Sequence, residues 1–206
     1  ENELQFLEDQ YSASSASLIV LYGRRRVGKT ALMTHFIRNK RALYFLVTEE
    51  SEHQNRNAFK AMVADFTGNA LLKAAAVDHW DLIFQTLVDS VTDERLIILI
   101  DEFQYLGKSN PAFPSIFQKI WDTILKDRKV MVILCGSLIS MMESQTLSYS
   151  SPLYGRRTGQ IKLKQIPFSY YNKFFPDKGL RELIEYYAVT GGVPKYIELF
   201  HSENDI

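Results

Sequence analysis

Four residues near the start of the chain have the types and spacing that bind phosphate. Gly23, Gly28, Lys29 and Thr30 fit the pattern G-x-x-x-x-G-K-[ST] in the stretch GRRRVGKT. In this pattern the glycines let backbone N–H groups face phosphate oxygens, the lysine adds a positive charge, and the hydroxyl is a ligand for Mg²⁺. An apolar run precedes the pattern and a helical pattern follows it, which is the context that the motif requires. The residues that we predict to contact a bound nucleotide here are Gly23, Arg24, Arg25, Arg26, Val27, Gly28, Lys29, Thr30 and Ala31.

The three arginines at 24–26 occupy variable positions of the motif. They can be solvated, can pair with carboxylates, or can reach the phosphates of a partner or a nucleic acid. The chain has 24 Lys and Arg against 24 Asp and Glu, so it has no net charge to draw it to DNA or to anionic lipid. Charge therefore does not indicate nucleic-acid binding.

Two adjacent carboxylates follow the apolar run 96–100. In a parallel sheet, ligands bind beyond the carboxyl ends of the strands, so these side chains should lie near the phosphate loop. We predict that Asp101 holds Mg²⁺ through water. Glu102 is the candidate general base, which would orient and deprotonate the attacking water.

Two later positions admit both a functional and a structural interpretation. Ser137 follows the apolar run 130–135, where it could sense the γ-phosphate, cap the following short helix, or do both. Arg156 and Arg157 could stabilise transition-state charge, in cis or across a subunit boundary, or could lie in a solvated turn.

The alternation of apolar runs and helical patterns predicts an α/β fold. Four continuous apolar runs are typical of strands that are buried on both faces of a parallel sheet, and the alternating run 161–166 suits an edge strand. The expected architecture is a three-layer α/β/α core with five mainly parallel strands over residues 1–167. Only helical patterns follow, so residues 168–206 should begin a small helical subdomain. The four buried runs are 18–22, 42–47, 96–100 and 130–135.

Composition favours a cytoplasmic protein. Cys135 is the only cysteine and lies in an apolar run, so we expect a buried, inert thiol and no disulfide. No apolar run approaches the ~20 residues that cross a bilayer, and no signal-peptide pattern opens the chain.

With these pieces in place, the chain resembles the archaeal ATPases, a prokaryotic branch of the AAA+/STAND class of P-loop NTPases. The resemblance covers most of the chain in the right order. It rests on the stretches LYGRRRVGKTALM, LIILIDEFQYL, VILCGS, SPLYGRRTGQIKL and YYAVTGGVPKYIELF.

This resemblance implies bound ATP and Mg²⁺, with Lys29 and Thr30 on phosphate and metal and with Ser137 as a sensor. It implies that Arg156 is an arginine finger or γ-phosphate sensor, which would require an oligomer if it acts in trans. It also places the turn Gly192-Val193-Pro194 near the adenine. Related proteins usually carry an Arg-Glu pair before the position where this chain begins, and they commonly continue into a winged helix or another effector domain. We therefore expect a truncated chain.

Three functions follow, in order of preference. The first is a Mg²⁺-dependent ATPase that acts as a switch, repositioning the helical subdomain and either a protein partner or a C-terminal domain. The second is a nucleic-acid-dependent ATPase of the initiator or loader type. The third is a small-molecule kinase, which the Asp-Glu pair and the lack of an acceptor-site signature disfavour.

Overall fold

Five parallel strands form one sheet in the order β2-β3-β4-β1-β5. The computed structural model describes residues 2–91 and 94–203, the side chains of 201–203 excepted. Residues outside the described ranges are Glu1, Thr92, Asp93 and 204–206. The first residue of the predicted core and the last three of the predicted helical subdomain are among them. The strands are β1 Ser17–Tyr22, β2 Ala42–Leu46, β3 Leu96–Asp101, β4 Val130–Gly136 and β5 Gly159–Lys162.

Helices connect successive strands, as parallel pairing requires. The first four are α1 Asn2–Ser12, α2 Lys29–Ile37, α3 Glu52–Thr67 and α4 Ala70–Ala74. The next four are α5 Trp80–Asp89, α6 Gln104–Ser109, α7 Phe113–Ile120 and α8 Ile139–Met142, and the last two are α9 Leu180–Thr190 and α10 Pro194–Glu203. Two π-helical turns, Trp121–Leu125 and Glu143–Leu147, extend α7 and α8.

The central strands are buried on both faces because successive side chains point to opposite layers. In β1, Leu18 and Val20 pack with the aromatic residues of α3, α5 and α7, including Phe59 and Phe84. Ile19 and Leu21 pack on the other face with residues of α1 and α2. The predicted three-layer α/β/α arrangement is confirmed.

One of the four predicted buried strands has a different environment. β2 lies at an edge of the sheet, and its outermost residue, Leu46, is half exposed. The prediction that this strand is buried on both faces holds for the face with Leu43 and Phe45, while Ala42 and Tyr44 on the other face are only partly buried. The difference was not predictable, because strand order is not visible in a single apolar run. The predicted edge strand is confirmed as β5, although it covers residues 159–162.

Hydrophobic periodicity alone does not predict every helix of the structure. The serine-rich stretch 144–151 has the composition of a loop, but residues up to Leu147 form a π-helical turn. Helix α3 was also missed, although Ser51 and Gln54 form a capping box at its start. The spacing of Ser51 and Gln54 was the signal that could have located it.

Residues after Pro167 form a 3-10 helix, Phe168–Lys173, followed by α9 and α10. They enclose their own apolar cluster, in which Tyr171, Phe175, Leu183 and Ile197 are buried. The helical content agrees with the sequence pattern, while a domain boundary at residue 167 stays a prediction. No helix in the described part of the chain is long and apolar enough to cross a membrane.

Candidate nucleotide-binding site

The phosphate loop connects β1 to α2 at the carboxyl edge of the sheet. Gly28 adopts φ +96°, a left-handed conformation that a side chain disfavours, and α2 begins at the next residue. Its carbonyl accepts the first helical hydrogen bond, from the N–H of Leu32, at 2.9 Å. The amino terminus of a helix, with its positive dipole end, therefore follows the loop directly, an arrangement suited to an anion.

Lys29 lies within this loop and is only 7% exposed. Its Nζ donates to the carbonyl oxygens of Gly23 at 2.8 Å and Arg24 at 3.0 Å. The loop's own main chain thus holds a buried ammonium group at the site where phosphate is expected.

Asp101 ends β3 and has both of its carboxylate oxygens hydrogen bonded. Oδ1 accepts from the N–H of Glu102 at 2.9 Å, and Oδ2 accepts from the Tyr44 hydroxyl on β2 at 2.6 Å. Burial, followed by this hydrogen bond, raises the pKa of Tyr44 well above its usual value, so the phenol remains a neutral donor. Burial and the neighbouring Asp101 likewise raise the pKa of the Cys135 thiol, in agreement with the predicted inert cysteine.

Glu102 has an unusual main-chain conformation and a firmly held side chain. Its φ is +56°, and besides glycines only Arg26 shares a positive φ in the described residues. The Ser137 hydroxyl donates to Oε2 at 2.8 Å, the Ser137 N–H donates at 3.2 Å, and the Gln104 amide donates as well. Strained residues held by their surroundings are frequent at functional sites.

The Ser137 contact resolves one of the alternatives left open by the sequence. The N-cap of α8 is Leu138, without a side-chain hydrogen bond, so the capping interpretation of Ser137 was wrong. Chain connectivity suggested a cap, whereas the parallel pairing of β3 and β4 brings the hydroxyl to Glu102 instead.

The phosphate loop, the carboxylates of Asp101 and Glu102, and the start of α10 meet at one cleft of about 520 Å³. This volume is within the range of small-ligand sites. Ten predicted residues line it: Arg25, Arg26, Gly28, Lys29, Thr30, Ala31, Asp101, Glu102, Ser137 and Pro194. Two residues that the sequence did not single out, Lys195 and Glu198 on α10, line it too. Their only sequence signal is the position of Lys195 directly after the Gly-x-Pro turn.

Two other cavities lie outside this cleft. One of about 330 Å³ is bordered by Arg24, Val27 and the turn between α9 and α10. Another of about 220 Å³ lies at the opposite ends of the strands, beside Leu96 and Val130, and has no residue of the phosphate loop. Gly23 lines none of these three cavities, and its contribution is the carbonyl that holds Lys29.

Two of the three arginines contact aromatic residues. Arg25 donates to the Tyr105 hydroxyl at 3.1 Å, and the guanidinium of Arg26 lies 5.5 Å from the ring centre of Tyr196 on α10. Arg24 is exposed, and its carbonyl accepts from Lys29.

Arg156 does not line the cleft. Its Nε and Nη2 donate to both carboxylate oxygens of Asp122, at distances from 2.7 to 3.0 Å, and Nη1 donates to the Pro152 carbonyl at 2.9 Å. Arg157 lies 5.6 Å from the ring centre of Tyr154. The structure therefore does not bring either arginine to the phosphate loop of its own chain, and the catalytic role of Arg156 stays a prediction.

The chemistry of the cleft fits a magnesium nucleotide. Mg²⁺ prefers hard oxygen ligands and usually keeps several waters, and Thr30 and Asp101 offer a hydroxyl and a carboxylate. The cations Lys29, Arg25 and Arg26 face the same space, where they can balance the charge of phosphates.

Residues 1–200 match the family described as an ATPase domain predominantly from Archaea. The chain belongs to this family. It is 38% identical over 198 residues to an uncharacterized protein of Methanocaldococcus jannaschii, a match that covers 96% of this chain and 42% of that protein. The archaeal ATPase resemblance inferred from the motifs is confirmed.

Solved structures show the same fold. The Walker-type ATPase of Pyrococcus abyssi aligns with TM-score 0.67 at 20% identity, over 96% of this chain and 64% of that one. A Pyrococcus horikoshii STAND protein with a tetratricopeptide repeat sensor aligns with TM-score 0.59 at 18% identity, over 94% of this chain and 28% of that one. This chain thus spans less than two thirds of the length of these relatives. Within that length it contains a P-loop ATPase domain.

Proposed function

We propose that this chain binds and hydrolyses Mg·ATP and that the bound nucleotide controls the position of its helical subdomain. The observation that carries the proposal is the shared cleft, where Lys29 and Glu102 of the core face Pro194 and Lys195 of α10. The family assignment supports ATP as the substrate class. A protein partner or a further domain would receive the movement.

Three side chains of the cleft would bind the phosphates and the metal. Lys29 and the amino terminus of α2 would neutralise the phosphate oxygens, and Thr30 and Asp101 would hold Mg²⁺. When bound, the metal supplies charge neutralisation at the phosphates.

Glu102 is arranged to receive the proton. Its Oε2 is occupied by Ser137 and Gln104, whereas Oε1 has no hydrogen bond within the described residues. The water oxygen would attack the γ-phosphorus while its proton passes to Oε1 of Glu102 and the bond to the bridging oxygen breaks, which releases ADP and phosphate.

The coupling to the helical subdomain rests on contacts that cross the cleft. A Cβ atom at Gly28 would lie 3.8 Å from Cγ of Pro194, so the start of α10 lies against the phosphate loop. The Arg26 guanidinium lies against the ring of Tyr196, two residues beyond Pro194. Phosphate bound in the loop would therefore change the environment of α10 directly, which supports the switch function.

Replacement of Glu102 by Gln tests the hydrolytic assignment. The side chain keeps its size but cannot accept the proton, so we expect turnover to fall by about 10²- to 10⁴-fold while ATP binding persists. Phosphate release and the dissociation constant of a fluorescent ATP analogue measure the two quantities. Unchanged turnover in the variant would remove Glu102 from the mechanism.

The same assay separates the two alternative functions. Stimulation by DNA that falls steeply with salt would indicate a nucleic-acid-dependent ATPase. Phosphate transferred to a small acceptor, with none released, would indicate a kinase.

A further inference from the structure

Gln104 contacts the candidate base from a fully buried position. It is the first residue of α6, two residues after Glu102, and its Nε2 donates to Oε2 of Glu102. The sequence stretch DEFQ contains this glutamine, whereas the predicted roles in metal binding and catalysis concern only its two acids.

The other end of the same amide has no partner. Oε1 of Gln104 is buried and lacks a hydrogen bond in the described part of the chain. A buried amide oxygen without a donor is unfavourable, and an apolar side chain of similar size would avoid that penalty. Stability alone therefore does not explain a glutamine at this position.

The surrounding main chain is shaped to accept this amide. A Cβ atom at Gly136, the last residue of β4, would lie 2.2 Å from Oε1 of Gln104. The same Cβ atom would also meet the side chain of Met142, so glycine at this position leaves room for both side chains.

Three donors converge on one oxygen of Glu102 from two sides. The hydroxyl and N–H of Ser137 approach from the end of β4, and the Gln104 amide approaches from α6. With Oε2 bound in this way, rotation of the carboxylate is restricted and Oε1 is the oxygen left to meet a water molecule. A base held in one orientation contributes more to catalysis than a freely rotating one.

We propose that Gln104 is a positioning residue that orients the carboxylate of Glu102 for proton abstraction. This inference rests on the proposed hydrolytic function. Gln104 then affects the chemical step through Glu102 and does not touch the nucleotide.

The variant Gln104→Met tests the proposal, because methionine keeps the length of the side chain but donates no hydrogen bond. We expect kcat to fall by about 10- to 100-fold while KM and the dissociation constant of the ATP analogue change less than about twofold. The melting temperature should stay the same or rise, since the unpartnered oxygen is removed. If this variant does not fold, Gln104→Asn replaces it, with an amide too short to reach Glu102.

Gln145 provides a matched control. Its Oε1 is also buried, with no hydrogen bond to any residue that the structure describes. Its amide donates to the main-chain carbonyl of Gln104 at 3.2 Å without touching the carboxylate of Glu102. Gln145→Met should therefore retain kcat within about threefold, the ordinary range for a side chain outside the reaction.

Two outcomes would overturn the positioning role. The first is a folded Gln104→Met protein with wild-type kcat; the second is an equal loss of kcat in both methionine variants together with a lower melting temperature. If Glu102→Gln has lost turnover in the same experiment, the hydrolytic role of Glu102 stands and only the positioning role of Gln104 is refuted. If the wild-type protein hydrolyses no ATP, the proposed function itself fails.

Discussion

The carboxylate of Asp101 is held in place by a hydrogen bond from the neighbouring strand β2. The Tyr44 hydroxyl on β2 donates to Oδ2 of Asp101, while the main chain of Glu102 occupies Oδ1. A tyrosine is protonated in the neutral range, and burial together with Asp101 raises the pKa of Tyr44 further. Mutation of groups that orient metal ligands typically lowers metal affinity by about 10- to 100-fold.

We expect Tyr44→Phe to weaken Mg²⁺ binding at the site. The magnesium concentration that gives half-maximal ATP turnover should rise by about 10-fold, since Asp101 loses the donor that fixes its orientation. Tyr187→Phe is the control, because it removes a hydroxyl bound to the Ile166 carbonyl, away from Asp101. The same magnesium dependence in Tyr44→Phe and wild type would contradict this role.

Helix α10 brings two opposite charges into the cleft. Nζ of Lys195 lies 3.0 Å from Oε2 of Glu198, three residues further along the helix. Both residues line the space in front of the phosphate loop. A phosphate group would compete with Glu198 for Lys195, so we expect α10 to respond to a bound nucleotide.

Replacement of Lys195 by Ala should therefore weaken ATP binding. We expect the dissociation constant to rise about 10-fold, the loss of one hydrogen bond to a charged group. Glu198→Gln should act in the opposite direction, because it removes the competing carboxylate. Titration with a fluorescent ATP analogue measures both changes.

A second ion pair in the same subdomain serves as the control. Lys178 pairs with Glu182 at 3.2 Å but lies outside the cleft, so Lys178→Ala should bind ATP like wild type. Equal weakening by Lys178→Ala and Lys195→Ala would indicate a general effect of charge and would remove the specific role of Lys195.

At the scale of the whole molecule, Arg156 joins a loop to the helical layer. Its bidentate pair with Asp122 connects the turn before β5 to the π-helical turn after α7. Hydrogen bonds from Arg156 lower the pKa of Asp122. The pair therefore stabilises the fold above the ordinary pKa of a carboxyl group, and this contribution is lost as the pH falls through the lowered value.

Arg156→Ala and Asp122→Ala separate a structural arginine from one that acts on a neighbouring copy. Each change should lower the free energy of unfolding by about 1 kcal/mol, since a partly exposed ion pair stabilises little more. If Arg156 acts in trans, only Arg156→Ala should also reduce turnover, and the specific activity of the wild type should rise with protein concentration. If the two variants hydrolyse ATP at the same rate, Arg156 has only a structural role. Urea unfolding and phosphate release provide the two measurements.

The residues predicted to bind phosphate are visible in the sequence because they are contiguous. Local geometry dictates glycine, lysine and threonine at 23–30, so one short stretch of chain contains the whole pattern. The adjacent acids at 101 and 102 were equally visible, since an apolar strand ends directly before them. The α/β class followed from the alternation of strand and helix patterns, whose periods are local properties too.

Contacts between distant segments were decided only by the tertiary structure. Strand order placed Ser137 on Glu102 and Tyr44 on Asp101, and the tertiary fold placed α10 over the phosphate loop. It also placed Arg156 on Asp122, 34 residues away in the chain. These pairings depend on which strands are neighbours and on how the helices pack against them, and no local pattern of residues encodes either property.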